Sequence, residues 1–310
     1  MELLHINDLN VNFSTRGGLV RVLSGFNLDI EKGDSMCLVG ESGCGKTMVA
    51  LSIMRLLPEN AQVRGEIRFE DRDLLSLKKE EIRRIRGRSI SMIFEQPASC
   101  LNPVFTVGDQ IAEAVRANGG CSKKEAKKTA VMLMNLTGIP SPEKRFNQYP
   151  HEFSGGMLQR AMISIAMASK PRLLIADEPT TSLDVTVQAQ IIELIKGLIA
   201  KFDMSLLLIT HDLGVAAELC RDVAVVYAGE IVERGRLVDV FQDPRHPYTK
   251  ALVKAISEDG LRPIRGSVPE LTRLPEGCRF HPRCPLVKDI CRLSKPELKN
   301  GVRCHLWETN

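Results

Sequence analysis

The stretch "SMCLVGESGCGKTMVALSIMRLLP", residues 35–58, limits the possible folds more than any other part of this 310-residue chain. It runs from an apolar strand through a glycine-rich turn into helical periodicity that reaches Pro58. Gly40 to Thr47 fit the pattern G-x-x-x-x-G-K-[ST] in that strand–loop–helix setting. Glycines at such a turn let backbone N–H groups curl around an anion with no Cβ in the way. The helix opening near Lys46 aims its positive end at the same point. The Lys46 ammonium suits the β and γ phosphates of a nucleotide, and the Thr47 hydroxyl suits its Mg²⁺. Gly40, Glu41, Ser42, Gly43, Cys44, Gly45, Lys46 and Thr47 are therefore the candidate phosphate cradle.

A matching acid follows in "PRLLIADEPTTSLD", residues 171–184. The apolar run Leu173 to Ala176 delivers Asp177 and Glu178 at a strand end, where α/β sheets present ligand-binding groups. Asp177 is the expected Mg²⁺ partner, and Glu178 is the expected base or orienter of an attacking water. About 130 residues separate Lys46 from Asp177, too many for one crossover. Residues 105–118, 122–138 and 155–169 carry helical patterns, with Ser122 and Glu125 spaced as a capping box. The spacing thus predicts a helical insertion within an α/β core. The net charge of +4 adds little. The basic runs "RRIRGR" (83–88) and "KKEAKK" (123–128) read as solvated faces, so no nucleic-acid partner is expected. No apolar run approaches the ~18 residues of a membrane helix, and "MELLHINDLN" lacks the pattern of a secretion signal.

With both boxes in hand, "FSGGMLQR" (153–160) resembles the signature motif of ATP-binding cassette (ABC) ATPases. "SLD" (182–184) is similar to their D-loop, and "LLLITHDL" (206–213) to the strand that presents a switch histidine, His211. The motifs stand in family order, and the resemblance covers residues 1–257. It implies that Ser154, Gly155 and Gly156 at a helix tip, with Asp184, cap an ATP held by a second ABC subunit. In that arrangement two ATPs are sandwiched in the dimer, and His211 contacts the γ-phosphate. The family's loop before the insertion reads Phe-Gln-Asp/Glu-Pro, whereas this chain has "IFEQPASCLNP". Glu95 stands where the glutamine is expected and Gln96 follows it. Either Glu95 takes the role, as a Mg²⁺ ligand beside the attacking water, or a backbone shift brings in Gln96; position favours Glu95. Phe13 is the candidate for stacking on adenine, with an ordinary core phenylalanine as the alternative.

"YPHEFSGGM" (149–157), "ASCLNP" (98–103) and "DPRHPYTKAL" (243–252) resemble the ATPases of bacterial and archaeal oligopeptide, dipeptide and nickel importers. After "HPYT" comes a tail with six prolines, little periodicity and, on this reading, almost no room for a core, so a cross-link is expected. It holds Cys278, Cys284, Cys291 and Cys304, spaced C-x5-C-x6-C-x12-C. That is looser than the usual zinc pairs. The resemblance implies a [4Fe–4S] cluster on these four cysteines, with zinc and unliganded thiols as alternatives. A structural staple is the favoured role, and a redox or iron sensor the sharper one. Cys37, Cys44, Cys100, Cys121 and Cys220 read as ordinary packing or surface residues.

The expected fold is α/β: a P-loop ABC ATPase domain over 1–257, with a mixed sheet core, an antiparallel β subdomain and a helical insertion at 97–168, then a Cys-rich extension over 258–310. The expected function is ATP hydrolysis, with Mg²⁺, to energise uptake of di- or oligopeptides or nickel. Expected partners are a second ATPase subunit, two membrane permeases and an extracytoplasmic substrate-binding protein, which would place the chain on the cytoplasmic face of a membrane. "FTVGDQI" (105–111) is expected near the permease contact. A soluble ABC ATPase acting on DNA or ribosomes and a non-hydrolysing regulatory subunit are the rivals. The single cassette disfavours the first, and the full set of Lys46, Asp177, Glu178 and His211 disfavours the second.

Overall fold

The computed structural model describes residues 2–15, 17–181, 183–255 and 264–307. They form two compact units, one of Met1–Ser76 with Leu208–Asn310 and one of Leu77–Leu207.

The first unit opens with β1 (Glu2–Thr15), β2 (Gly18–Glu31), β3 (Ser35–Val39), α1 (Lys46–Ile53), β4 (Ala61–Phe69) and β5 (Arg72–Asp73). The first two strands alternate apolar and polar residues, so one face is buried, and they pair antiparallel with Ile6 opposite Leu28. The sheet order is β2-β1-β4-β5, with Leu4, Ile6, Phe26, Leu28 and Ile67 in its core. Helix α1 stops at Ile53 rather than reaching Pro58. The cause is local: Arg55 turns left-handed (φ 48°), and the Leu56 N–H closes back on the Leu51 carbonyl at 2.8 Å, which terminates the helix.

The second unit contains α2 (Lys79–Ile85), β6 (Ile90–Ile93), α3 (Pro97–Cys100), α4 (Val107–Gly119), α5 (Lys123–Leu136), α6 (Pro142–Arg145), α7 (Gly155–Ala166), β7 (Leu173–Asp177) and α8 (Val185–Phe202). The three helical patterns read from the sequence become α4, α5 and α7. The Ser122 capping box is made, with Glu125 N–H donating to the Ser122 hydroxyl and Ser122 N–H to the Glu125 carboxylate at 2.9 Å. Strands β6 and β7 pair in parallel, Met92 beside Ile175, as buried runs that are apolar apart from Ser91 and the terminal Asp177.

Strand β8 (Ser205–Thr210) carries the chain back to the first unit, followed by α9 (Leu213–Leu219), β9 (Asp222–Tyr227), β10 (Glu230–Arg236), α10 (Leu237–Gln242) and α11 (Pro247–Lys254). Here β9 runs parallel to β3 (Leu38 beside Ala224) and antiparallel to β10, so the sheet is mixed, as expected. The tail adds one short helix, α12 (Ile290–Leu293), and several tight turns. No helix among the described residues is long and apolar enough to cross a membrane.

Candidate nucleotide site and the cysteine-bearing tail

In the first unit, β3 ends at Val39 and the chain turns through residues 40–45 into α1. Two glycines fix this path. A Cβ on Gly40 would lie 2.2 Å from the Val226 carbonyl oxygen, so only glycine lets the loop run so close to β9. Gly45 precedes the helix with φ 103°, and a Cβ there would meet Leu23 at 2.9 Å. Lys46 is buried, and its ammonium donates to the carbonyls of Gly40 at 2.7 Å and Glu41 at 3.1 Å. The cation therefore sits inside the turn, over the start of α1, where an anion would be drawn. The buried Cys44 sulfur lies 3.8 Å from the same ammonium, and burial pushes its thiol pKa up. Thr47 opens the helix half-exposed.

His211 follows β8 on the exposed surface, and the next residue, Asp212, caps α9 by accepting from Gly214 and Val215 N–H. Phe13 lies in β1 opposite Val20 and is partly exposed.

In the second unit, Asp177 is buried at the end of β7. Glu178 adopts a left-handed backbone (φ 47°), uncommon for a residue with a long side chain, and its carboxylate accepts from the Thr181 hydroxyl at 2.9 Å. Neither the twist nor Thr181 was legible in the sequence. Ser154 is the N-cap of α7, its hydroxyl accepting from Met157 N–H. A Cβ on Gly156 would lie 2.7 Å from Val187, at the start of α8. Asp184 caps α8 by accepting from Thr186 and Val187 N–H, so the signature tip and the D-loop are brought together around Val187. Ser182 lies outside the described residues. Glu95 and Gln96 are both exposed. The Gln96 side-chain oxygen accepts from the Ser99 hydroxyl at 3.2 Å, which ties it to its own short helix α3.

Within the first unit the tail packs on β9, β10 and α11. Phe280 is buried against Tyr227, Tyr248 and His246, with ring centroids 5.2, 5.5 and 5.7 Å away. Arg303 donates from its backbone to Val232 (2.8 Å) and from its guanidinium to the Ile231 carbonyl (2.9 Å), so the tail lies along β10. The tail therefore buries Phe280, Cys291, Val302 and Cys304 instead of lacking a core. Its apolar residues are too irregularly spaced to be read as one element.

Of the four tail cysteines, Cys291 and Cys304 are buried and Cys278 and Cys284 partly exposed. Burial raises the Cys278 thiol pKa to about 12, and Cys291, Cys304 and Cys284 push it the same way. Among the described residues no three of their sulfurs lie within 4.8 Å of one another. A single tetrahedral zinc, with Zn–S near 2.3 Å, would need sulfurs only about 3.8 Å apart. Arg283, one residue before Cys284, pairs with Glu41 of the phosphate turn at 2.7 Å.

A family model described as ABC transporter matches residues 23–181, and one described as oligopeptide/dipeptide transporter, C-terminal region, matches residues 232–291. The oligopeptide transport ATP-binding protein OppD of Bacillus subtilis is 50% identical, over 90% of this chain and 80% of that protein. The dipeptide transport ATP-binding protein DppD of the same organism is 48% identical, over 94% and 89%. A probable peptide ABC transporter ATP-binding protein of Sinorhizobium fredii is 46% identical, over 99% and 95%. Among solved structures, a dimeric ATP-binding cassette in a post-hydrolysis state, bound to ADP and Pi, superposes with a TM-score of 0.68 at 25% identity, covering 76% of this chain and 99% of that one. The chain belongs to the ABC transporter family, among its oligopeptide/dipeptide transport ATP-binding proteins.

Proposed function

We propose that this chain hydrolyses ATP to energise peptide uptake through separate membrane permeases. The observation that carries the reading is the buried Lys46 ammonium, held over the start of α1 in a turn that only glycines can follow. In the nucleotide complex Lys46 exchanges its carbonyl partners for the β and γ phosphates, while Gly40 to Thr47 wrap them with N–H groups. Thr47 and Asp177 hold Mg²⁺. Glu178 orients the attacking water or takes its proton, and His211 contacts the γ-phosphate. Glu95 completes the Mg²⁺ and water contacts; support comes from the engaged side chain of Gln96. Phe13 is the adenine platform, and its half-exposed ring supports that role. Ser154, Gly155, Gly156 and Asp184 cap the ATP of a second ATPase subunit, so hydrolysis requires a closed dimer. The exposed Val104 and Phe105, 70% and 54% accessible, support a permease contact beside "FTVGDQI". The partners are completed by a substrate-binding protein outside the membrane, with this chain peripheral on the inner face. Peptide is favoured over nickel as cargo because the similar proteins are named for peptide transport.

For the cysteines at 278, 284, 291 and 304 the reading is a [4Fe–4S] cluster, with the burial of Cys291 and Cys304 as its support. Bound there, the cluster would staple the tail covalently. Protein purified without oxygen should carry iron and acid-labile sulfide; colourless, iron-free protein would remove the cluster from the reading. The ATPase reading is tested by the full chain and its Lys46→Ala and Glu178→Gln variants. Both substitutions should lower hydrolysis by about 100-fold or more. Undiminished hydrolysis in Lys46→Ala would refute the assignment.

A further inference from the structure

Glu41 is the second residue of the phosphate turn, and nothing in a backbone cradle requires its side chain. All its polar groups are nevertheless engaged. Its N–H donates to the Tyr248 hydroxyl at 2.9 Å. Its carbonyl accepts from Lys46 at 3.1 Å, and its carboxylate accepts two guanidinium bonds from Arg283, at 2.7 and 3.0 Å. Two of these three holders come from the far end of the chain, in α11 and the tail.

Arg283 is built in place before it meets Glu41. Its side chain is only 3% exposed, against 28% for Glu41. Nε donates to the Arg265 carbonyl at 2.9 Å, one terminal nitrogen also reaches the Ile264 carbonyl at 3.2 Å, and the other the Tyr227 hydroxyl at 3.4 Å. A planar fork pre-oriented by tail carbonyls loses little freedom when it grips a carboxylate, and the paired bonds fix angle as well as distance. The gripped residue sits between Gly40 and the turn, and the carbonyls of Gly40 and Glu41 are the two that hold the Lys46 ammonium. A displacement of Glu41 therefore moves the cation that meets the phosphates.

We propose that Arg283 is a positioning residue of the nucleotide site, fixing the phosphate turn through Glu41 so that the cysteine-bearing tail forms part of that site. The proposal rests on the nucleotide-binding reading of Gly40 to Thr47. It differs from a purely structural tie, in which the pair would hold the tail down and leave the turn's affinity for nucleotide unchanged.

The test is steady-state ATP hydrolysis by the full chain with Mg²⁺, comparing wild type with Glu41→Ala, Arg283→Gln and the double variant. Loss of a bidentate charge-assisted contact should raise KM for ATP by about tenfold in each single variant, with kcat within about twofold. The two losses should not add, so the double variant should match the worse single. Arg283→Lys, which keeps the charge and loses the fork, should fall between wild type and Arg283→Gln. An unchanged KM in Glu41→Ala, or losses that add in the double variant, overturns the proposal. Glu41→Ala alters no tail residue, so it decides the matter even if the Arg283 variants fail to fold or lose the thiol site. Lys46→Ala separates the two readings. If it retains wild-type KM and hydrolysis, the nucleotide assignment itself fails and this proposal fails with it. If it loses activity while Glu41→Ala keeps its KM, only the role of Arg283 fails.

Discussion

The phosphate turn and the cysteine-bearing tail lean on different means of fixing their backbones, although Tyr248 and Arg283 also grip the turn at Glu41 and Gly277 and Gly301 pass close to backbone oxygens in the tail. The turn is held by what its residues lack: Gly40 has no Cβ to strike the Val226 carbonyl, and Gly45 none to strike Leu23. The tail is held by what its residues reach for. Arg279 donates to the Ala228 carbonyl and pairs with Glu230, Arg303 bonds the Ile231 carbonyl, and Trp307 Nε1 donates to the Arg245 carbonyl at 3.1 Å. Stereochemical fixation is set by a few adjacent residues, so it recurs as a short pattern. Side-chain anchoring depends on residues scattered across a fold, so the same path can be held by different partners. The first kind is readable from a sequence; the second emerges only once the strands are in place.

The sharpest way to break this contrast is to give the turn a side chain. Gly40→Ala places a methyl 2.2 Å from a backbone oxygen that is part of β9 and cannot rotate away. The turn must shift instead, and a misplacement of about 1 Å at a catalytic site can cost 100-fold in rate. ATP hydrolysis should fall by about that factor, while the far-ultraviolet circular dichroism stays that of the wild type. Gly43 faces open space, although its backbone is left-handed (φ 78°). Gly43→Ala should therefore pay only about 1 kcal/mol of backbone strain. Equal losses at positions 40 and 43 would show that close approach is not what fixes the turn.

The tail should respond more gently, because its anchors are many. Arg303→Ala leaves the Ile231 and Pro296 carbonyls without the guanidinium bonds they now accept, at 2.9 and 3.2 Å. Each lost buried partner costs about 1–3 kcal/mol. Limited proteolysis should then cut within residues 264–307 about tenfold faster or more, with the rest of the chain resistant. Cutting spread evenly over the chain would mean that the tail is integral to the core rather than anchored on it.

The same division explains what the sequence disclosed. Strand β3, the turn and α1 were legible because each step follows from local chemistry, as were β7 with Asp177 and the Ser122 capping box. The ends were less so. Helix α1 stops at Ile53 because Arg55 turns left-handed, which no residue type announced. The left-handed Glu178 and its Thr181 partner were equally silent. Tyr248 was visible only as part of "HPYT" and Arg283 only as part of "HPRC"; both act on Glu41 across more than 200 positions of sequence. A span of that kind carries no periodicity to read. The tail was judged coreless because its burial rests on single residues, Phe280, Cys291, Val302 and Cys304, supported by aromatic rings from β9 and α11.

The smallest effect concerns His246, two residues before the Tyr248 that holds the turn at Glu41. His246 caps α11, its Nδ1 accepting from the Tyr248 N–H at 3.0 Å, while its backbone N–H donates to the Glu233 carboxylate at 2.9 Å and its ring packs on Phe280. Burial, with the Arg303 guanidinium nearby, lowers its pKa from 6.5 to about 3. The folded protein thus keeps this imidazole neutral while the unfolded chain takes up a proton below pH 6.5, so stability from this site rises with pH between those values. It is fully present above pH 6.5 and is lost as the pH falls towards 3. Acidifying from pH 7 to pH 5 should remove about 2 kcal/mol through this group. Denaturant titrations at the two pH values should show that loss in the wild type beyond the loss in His246→Asn, which keeps a capping acceptor and cannot titrate. If the two proteins lose stability equally, the junction is not held by a neutral imidazole.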